Sequence, residues 1–221
     1  MRIALGLAGV ALLLLVLAQL FLPRIAASRI SSRVGSHGDV ERVHVSAWPA
    51  IELLWGDADS VSVRAADLRV SPAQTAHLLW EGRGADRIDL TAAVAHEGPL
   101  RLTGVSLHKR GRRLRAQAHL SAADVKAALP LGVDVQLLGS ENGQVEVRAS
   151  GGLFGVGASV DALAGGSGGR LVAHPRGLLL EGLKLTLFGD PHVYVEGVGA
   201  RAASGPDGAP GYLLSISASL R

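Results

Sequence analysis

A run of basic residues in the middle of the chain has the composition of a contact for anionic groups. The run His108-Lys109-Arg110-Gly111-Arg112-Arg113, followed by Arg115, places five cationic side chains close together. We predict that residues 108–113 form the turn of a β-hairpin, so that Lys109, Arg110, Arg112, Arg113 and Arg115 lie at or beside its tip. Such a cluster is either a solvated turn or a contact for anionic headgroups at a membrane surface. Aromatic residues do not interleave with the charges, so nucleic acid is not an expected partner.

A second group of residues could bind acyl chains. Trp48, Trp55 and Trp80 are the three tryptophans of the chain. The first two flank an apolar patch around a bend at Pro49. This patch is either part of the core or the rim of a lipid groove. The predicted lipid-binding residues are Trp48, Pro49, Leu53, Leu54, Trp55 and Trp80.

Catalytic and metal-binding patterns are missing from the sequence. The eight histidines are scattered without recognised metal spacing, and cysteine is absent, so no thiolate site or disulfide can form. There is no Gly-x-Ser-x-Gly elbow, dinucleotide fingerprint or phosphate loop. Asp57, Asp59 and Asp67 occupy turn-like positions where acidic residues are common. We therefore predict a protein without catalytic activity, cofactor or metal.

The N-terminus is apolar enough to cross a membrane. Residues 3–22 are interrupted only by Gln19, and about 20 apolar residues span a hydrocarbon core as a helix. Residues 1–22 are therefore predicted to be a transmembrane anchor or an uncleaved signal, since the run exceeds the usual signal core. The alternative is a signal that is removed by cleavage after a segment such as Ile25-Ala26-Ala27. Arg24, Arg29 and Arg33 follow the span, and the positive-inside rule alone favours a cytoplasmic domain.

An amphipathic helix is predicted directly after the span. Leu22, Ala26, Ile30 and Val34 recur at intervals of four, and Pro23 is tolerated in a first turn. Residues 23–36 are therefore predicted to form a helix whose apolar stripe either packs on the domain or lies in the membrane interface.

The rest of the chain, residues 37–221, is predicted to be one β-rich domain. Small and β-branched residues dominate, and the hydrophobic pattern alternates with period two in about ten runs. A slip in phase at Ala65-Ala66 predicts a bulge. Ser71-Pro72-Ala73-Gln74 and Ser121-Ala122-Ala123-Asp124 predict two short helices. Hairpin-length connections predict a mostly antiparallel sheet, and residues 199–211 are predicted to be an exposed loop.

Several stretches together resemble the actinobacterial LmeA-like phospholipid-binding family. They are the amphipathic segment, Ala47-Trp48-Pro49 with Leu53-Leu54-Trp55-Gly56, the helix start at residues 120–125, and Gly-x-Val-x-Val at residues 143–147. Trp48 stands where the family pattern has Phe, and the basic turn at 108–113 also departs from that pattern. The resemblance implies an α+β, mainly β fold in which a curved sheet wraps an N-terminal helix around an apolar groove.

The resemblance also implies a location and a function. The domain is expected outside the membrane, because long translocated domains often override a few flanking charges. The expected protein is anchored in the cell membrane and binds phospholipid or glycolipid in the groove, in support of cell-envelope lipid maturation or transfer. The alternative is a structural or interaction protein of the envelope without a lipid ligand. A glycolipid-modifying enzyme would need paired carboxylates in a cleft.

Overall fold

A computed structural model describes residues 22, 25–28, 30, 38–47, 53, 57–97, 100–129, 133–153, 156–177 and 183–221. Within these residues the chain is mostly β-strand with few helices, as the alternating pattern predicts. The strands form two curved, open sheets, where the sequence suggested one.

The first sheet has seven strands. In spatial order they are β1 (Gly38–Ser46), β2 (Ala58–Arg69), β3 (Ala85–Glu97), β4 (Leu100–Arg110), β5 (Arg113–Ser121), β12 (Pro210–Leu220) and β11 (Val193–Ser204). β5 pairs with β12, so residues far apart in sequence meet in the middle of this sheet.

The second sheet is a meander of five strands. Its strands are β6 (Val133–Glu141), β7 (Gln144–Leu153), β8 (Val156–Ser167), β9 (Arg170–Arg176) and β10 (Leu185–Phe188). Its turns abut β11 of the first sheet, where the Val195 amide donates to the Gly169 oxygen at 3.0 Å and the Val198 amide to the Gly143 oxygen at 2.8 Å. The second sheet therefore joins the first through its hairpin ends.

One strand pair of the first sheet is parallel. β2 and β3 run in the same direction, whereas the other strand pairs in the two sheets are antiparallel. A parallel pair needs a crossover, and helix α1 (Pro72–Glu81) with the 3-10 turn Gly82–Gly84 provides it. The prediction of a mostly antiparallel fold is confirmed, with this exception.

Helix α1 covers one face of the first sheet, which we call the inner face. Ala76 and Leu79 pack against Leu114, Val193 and Ala218. A row of mutually paired residues marks this face across five strands: Val63, Leu90, Leu107, Ala116 and Ile216. The opposite side is the outer face, and because side chains alternate along a strand, its residues are the sequence neighbours of the inner ones.

Both helix starts follow the predicted caps. The Ser71 hydroxyl accepts from the Gln74 amide at 3.2 Å, and the Gln74 side chain accepts from the Ser71 amide at 2.8 Å, completing a capping box. Ser121 caps the second helix, α2 (Ala122–Ala128), by accepting from the Asp124 amide at 3.0 Å. The predicted bulge also occurs, since Ala66 is skipped between the pairs Asp39–Asp67 and Val40–Ala65.

The predicted turn at residues 108–113 is wrong in extent. β4 continues through Arg110 and β5 begins at Arg113, so that only Gly111 and Arg112 form the turn. Gly111 has a φ of 55°, a conformation that glycine adopts without steric cost. High charge density suggested a loop, but arginines are compatible with a strand whose alternate side chains face solvent.

The predicted loop at residues 199–211 is also wrong. β11 extends to Ser204 and β12 begins at Pro210, so the connection is only residues 205–209. The Gly and Ala residues that suggested a loop pair instead across the hairpin, as Ala202 does with Tyr212.

The predicted membrane anchor lies outside the described residues, except for Leu22. In the part of the chain that the structure describes, no helix is long and apolar enough to span a bilayer. Leu22, Ile25, Ala26, Ala27, Ser28 and Ile30 of the predicted amphipathic segment are described and helical.

Candidate functional site

An apolar cavity of about 640 Å³ lies between the inner face of the first sheet and helix α1. The size falls within the range of small-molecule sites, about 300–1,000 Å³. The lining residues from the sheet and its connections are Val45, Leu53, Ala58, Val61, Val63, Leu68, Val70, Ala85, Ile88, Leu90 and Leu107. Those from the helical segments are Ala26, Ile30, Thr75, Leu78, Leu79, Glu81 and Gly82.

The β2–α1–β3 crossover forms most of this cavity. β2 and β3 contribute alternate apolar residues, because every second side chain points to the inner face. Helix α1 runs across that face and adds Leu78 and Leu79 from one turn. An antiparallel pair could be joined by a short hairpin turn, and helix α1 would then be absent from this face.

The N-terminal helical residues close the cavity from another side. Ala26 and Ile30 line it, and they pack with Ala27 against a buried cluster that includes Val45 and Val61. Of the two alternatives for the amphipathic stripe, packing on the domain is the one seen for these residues.

The chemistry of the lining is that of a hydrocarbon site. Thr75 and Glu81 are the only polar side chains on it among the described residues. The Thr75 hydroxyl already donates to the Ser71 oxygen at 3.2 Å, and Glu81 lies 3.6 Å from His77. The cavity can therefore bury alkyl groups, each methylene contributing about 0.8 kcal/mol, and it offers little to orient a polar substrate.

A smaller cavity of about 350 Å³ lies at the junction of the two sheets. Its walls come from β5, β12 and β11 of the first sheet and from the end of the β6–β7 hairpin, with Arg115, Gln117, Glu141 and Asn142 among the lining residues. These side chains are polar, so this cavity does not suit an acyl chain.

Lys109 lies inside the protein and away from its surface. It is 1% exposed, and its ammonium donates to the backbone oxygens of Arg83, at 3.1 Å, and of Ala85. Burial lowers the pKa of this ammonium, an effect that nearby Asp86 partly offsets. Lys109 thus ties β4 to the turn that follows α1, and it is not available to a headgroup.

The other basic residues of the predicted cluster are exposed. Arg110 donates to both carboxylate oxygens of Asp89, at 2.9 and 3.2 Å, and His108 lies 2.6 Å from the same carboxylate. The hydrogen bond from His108, with help from Arg110, lowers the pKa of Asp89. Arg112 donates to the Leu220 oxygen at 2.8 Å. Arg113 and Arg115 point to the outer face.

The structure brings one of the two described predicted lipid-binding residues into the cavity. Leu53 lines it. Trp80 instead stacks beside His192, with ring centroids 4.5 Å apart, and the Arg83 guanidinium lies 4.5 Å from its ring. Trp48, Pro49, Leu54 and Trp55 lie outside the described residues.

Sequence reasoning did not single out the strand residues that line the cavity. Ile88, Leu90 and Leu107 were visible as alternating apolar positions, but a core and a cavity wall give the same pattern. The sequence predicted helix α1 correctly, but it did not show that this helix connects two parallel neighbouring strands and so covers their inner face. Among the described residues, no group of three or more His, Asp and Glu side chains is placed to hold a metal ion.

Comparison with known proteins shows which family the chain belongs to. The model of the LmeA-like phospholipid-binding family matches residues 15–217. The chain belongs to the LmeA-like phospholipid-binding family. The resemblance noted in the sequence is thereby confirmed. No curated protein and no solved structure matches the chain.

The LmeA-like family is described by the binding of phospholipid rather than by a reaction. In this member, the cavity under helix α1 has the apolar lining that acyl chains require. The match begins before the described N-terminal helix and ends in β12, so it includes every element that lines the cavity.

Proposed function

We propose that this protein binds a phospholipid without chemical conversion and holds its acyl chains in the cavity under helix α1. The observation that carries the proposal is the lining, which is apolar apart from Thr75 and Glu81 and is assembled from the first sheet, helix α1 and the N-terminal helical residues. Family membership supplies the class of ligand.

The proposed location is the outer side of the cell membrane, with residues 1–22 as the anchor. The apolar run at residues 3–22 supports the anchor, because its length matches a hydrocarbon core. The outer side is what the family resemblance implies, since long translocated domains often override a few flanking charges. The helical residues that follow it, Ala26 and Ile30, line the cavity, so a lipid leaving the bilayer would meet the cavity beside the anchor. A role in the maturation or transfer of envelope lipids follows from such a position.

Native mass spectrometry of the full chain, purified in mild detergent, tests this proposal. We expect one phospholipid per chain, identified by extraction. Leu90→Trp fills the cavity with an apolar side chain and should abolish retention of the lipid. Thr91→Trp is the matched control, because Thr91 is the next residue of β3 and is exposed on the outer face.

Two results would contradict the proposal. One is a full-length chain that carries no lipid after mixing with phospholipid vesicles. The other is loss of lipid in both variants alike while circular dichroism shows the native fold. The first result would favour a structural or interaction protein of the envelope.

A further inference from the structure

The outer face of the first sheet carries three parallel rows of polar residues that the strand register defines. The first row is Ser46, Ser60, Arg87, Arg110, Arg113 and Ser219. The second row is His44, Ser62, Asp89, His108, Arg115 and Ser217. The third row is Arg42, Arg64, Thr91, Ser106, Gln117 and Ser215.

These rows concentrate positive charge. They contain six arginines from five strands, all of them exposed, and one carboxylate, Asp89. The whole chain has a net charge of only +3, so the remainder of the molecule is slightly acidic. The charge is therefore gathered on one face rather than spread over the surface.

Most of these arginines have no ion-pair or hydrogen-bond partner among the described residues. Arg110 of the first row forms an ion pair with Asp89 of the second row. The other five guanidiniums make no ion pair or hydrogen bond within the described part of the chain: Arg42, Arg64, Arg87, Arg113 and Arg115. A set of like charges without counter-ions is unfavourable for folding, which points to an external anion.

The spacing of the positive charges favours a planar anionic surface over a linear anionic polymer as the binding partner. Strands lie about 4.8 Å apart, so the arginines from β1 to β5 extend over about 19 Å across the sheet as well as along it. The residues between them are mainly serines, and the three rows hold no Phe, Tyr or Trp ring on which nucleic-acid bases could stack. Of their two imidazole rings, that of His108 is hydrogen-bonded to Asp89. They also hold no apolar side chain that would insert into a bilayer, so the contact would be made with headgroups.

We infer that the outer face of the first sheet docks on an anionic lipid bilayer through the phosphates of its headgroups. This contact is distinct from the cavity, because Ala26, Ile30 and helix α1 lie on the opposite, inner face. The inference rests on the proposed function only for the lipid nature of the partner. The protein would then hold one lipid on its inner face and touch a headgroup layer with its outer face.

A pelleting experiment tests the inference with the full chain. The protein is held in small neutral nanodiscs, which stay in the supernatant, and is mixed with sucrose-loaded vesicles of phosphatidylcholine, with or without phosphatidylglycerol. We expect pelleting with the anionic vesicles only, weakening as salt is raised. The triple variant Arg64→Gln, Arg87→Gln, Arg113→Gln should bind roughly a hundredfold more weakly, at about fivefold for each arginine.

A second triple variant controls for total charge. Lys126→Gln, Arg170→Gln, Lys184→Gln removes three exposed cations outside the three rows and should reduce binding by no more than about threefold. Equal losses in the two triple variants would overturn the inference, as would equal pelleting by neutral vesicles. Binding to soluble polyphosphate but not to anionic vesicles would also overturn it, since the partner would then be an anionic polymer.

The same samples separate this inference from the cavity proposal. The arginine variant should still retain its copurified phospholipid in native mass spectrometry, and its circular dichroism should be that of the native protein. Loss of vesicle binding with lipid retained supports a separate outer contact. Loss of copurified lipid together with vesicle binding, in a folded variant, would overturn the separation of the two sites.

Discussion

The ammonium of Lys109 donates a hydrogen bond to the backbone oxygen of Arg83, 3.1 Å away. The bond joins the fourth strand of the first sheet to the turn through which helix α1 returns to β3. Its neighbour Arg110 faces the opposite way and pairs with Asp89. Two adjacent basic residues thus have different roles, one fixing the edge of the cavity and one contributing to the charged outer face.

Replacing Lys109 by alanine should destabilise the protein. The substitution removes a buried stem and leaves the oxygens of Arg83 and Ala85 without this donor, and we expect the free energy of unfolding to fall by about 2 kcal/mol. Urea denaturation followed by circular dichroism measures the loss. Arg115→Ala, on the exposed outer face, should change it by less than about 0.5 kcal/mol. Equal effects of the two substitutions would contradict the structural role of Lys109.

Burial of the Lys109 ammonium should make the stability of the protein depend on pH. The pKa of this ammonium in the folded state lies below the ordinary value of 10.5, because burial disfavours the charged form. At pH values between the folded-state pKa and 10.5, the unfolded chain binds more protons than the folded protein does. Raising the pH in this range therefore favours the folded state. The free energy of unfolding of the wild type, relative to Lys109→Met, should therefore increase as the pH approaches 10.5.

Urea denaturation of the wild type and of Lys109→Met, carried out at several pH values, measures this difference. A flat or decreasing difference for Lys109→Met would show that its ammonium is not desolvated in the folded protein.

The cap of helix α1 should matter for the cavity as well as for stability. Ser71→Ala removes the acceptor of the Gln74 amide and should lower the free energy of unfolding by about 1 kcal/mol. Because α1 supplies Leu78 and Leu79 to the lining, fraying of its first turn should also shorten the residence time of the bound lipid. Ser62→Ala, an exposed serine of the outer face, serves as the control and should leave both quantities unchanged.

Trp80 should not be needed for lipid binding, in contrast to the residues that line the cavity. Its ring contacts His192 and Arg83 and does not line the cavity, so Trp80→Phe should retain phospholipid at the wild-type level in native mass spectrometry. Leu78→Trp, which fills the cavity from the same helix, should lose it. Lipid loss in a folded Trp80→Phe variant would place the indole in the binding site after all.

Local features of this fold could be predicted from the sequence, and distant pairings could not. The alternation in β3 and the Ser71 capping box depend on neighbouring residues, and both were predicted. The parallel pair of β2 with β3 and the pairing of β5 with β12 depend on contacts between distant segments, which leave no local pattern. The same limit applies to Lys109, whose burial follows from strand alternation once β4 is known to continue past it.

The candidate site shows this limit again. Aromatic residues suggested a lipid contact, yet the described lining is almost wholly aliphatic, and of the predicted residues only Leu53 and Trp80 are described. An aliphatic residue that faces a cavity and one that faces a filled core have the same sequence signature. Only the position of α1 over the inner face distinguishes Leu90 from an ordinary core leucine.

The pairing of β5 with β12 constrains the order in which this protein can fold during synthesis. The whole second sheet lies between these two strands in the sequence, so β12 is made after it. The second sheet, a local meander, can form while the chain is still growing, whereas β5 keeps an unpaired edge until β12 has been made. A chain whose synthesis stops or is delayed before β12 would therefore expose that edge to other growing chains, and aggregation would be expected from loss of this eleven-residue strand alone.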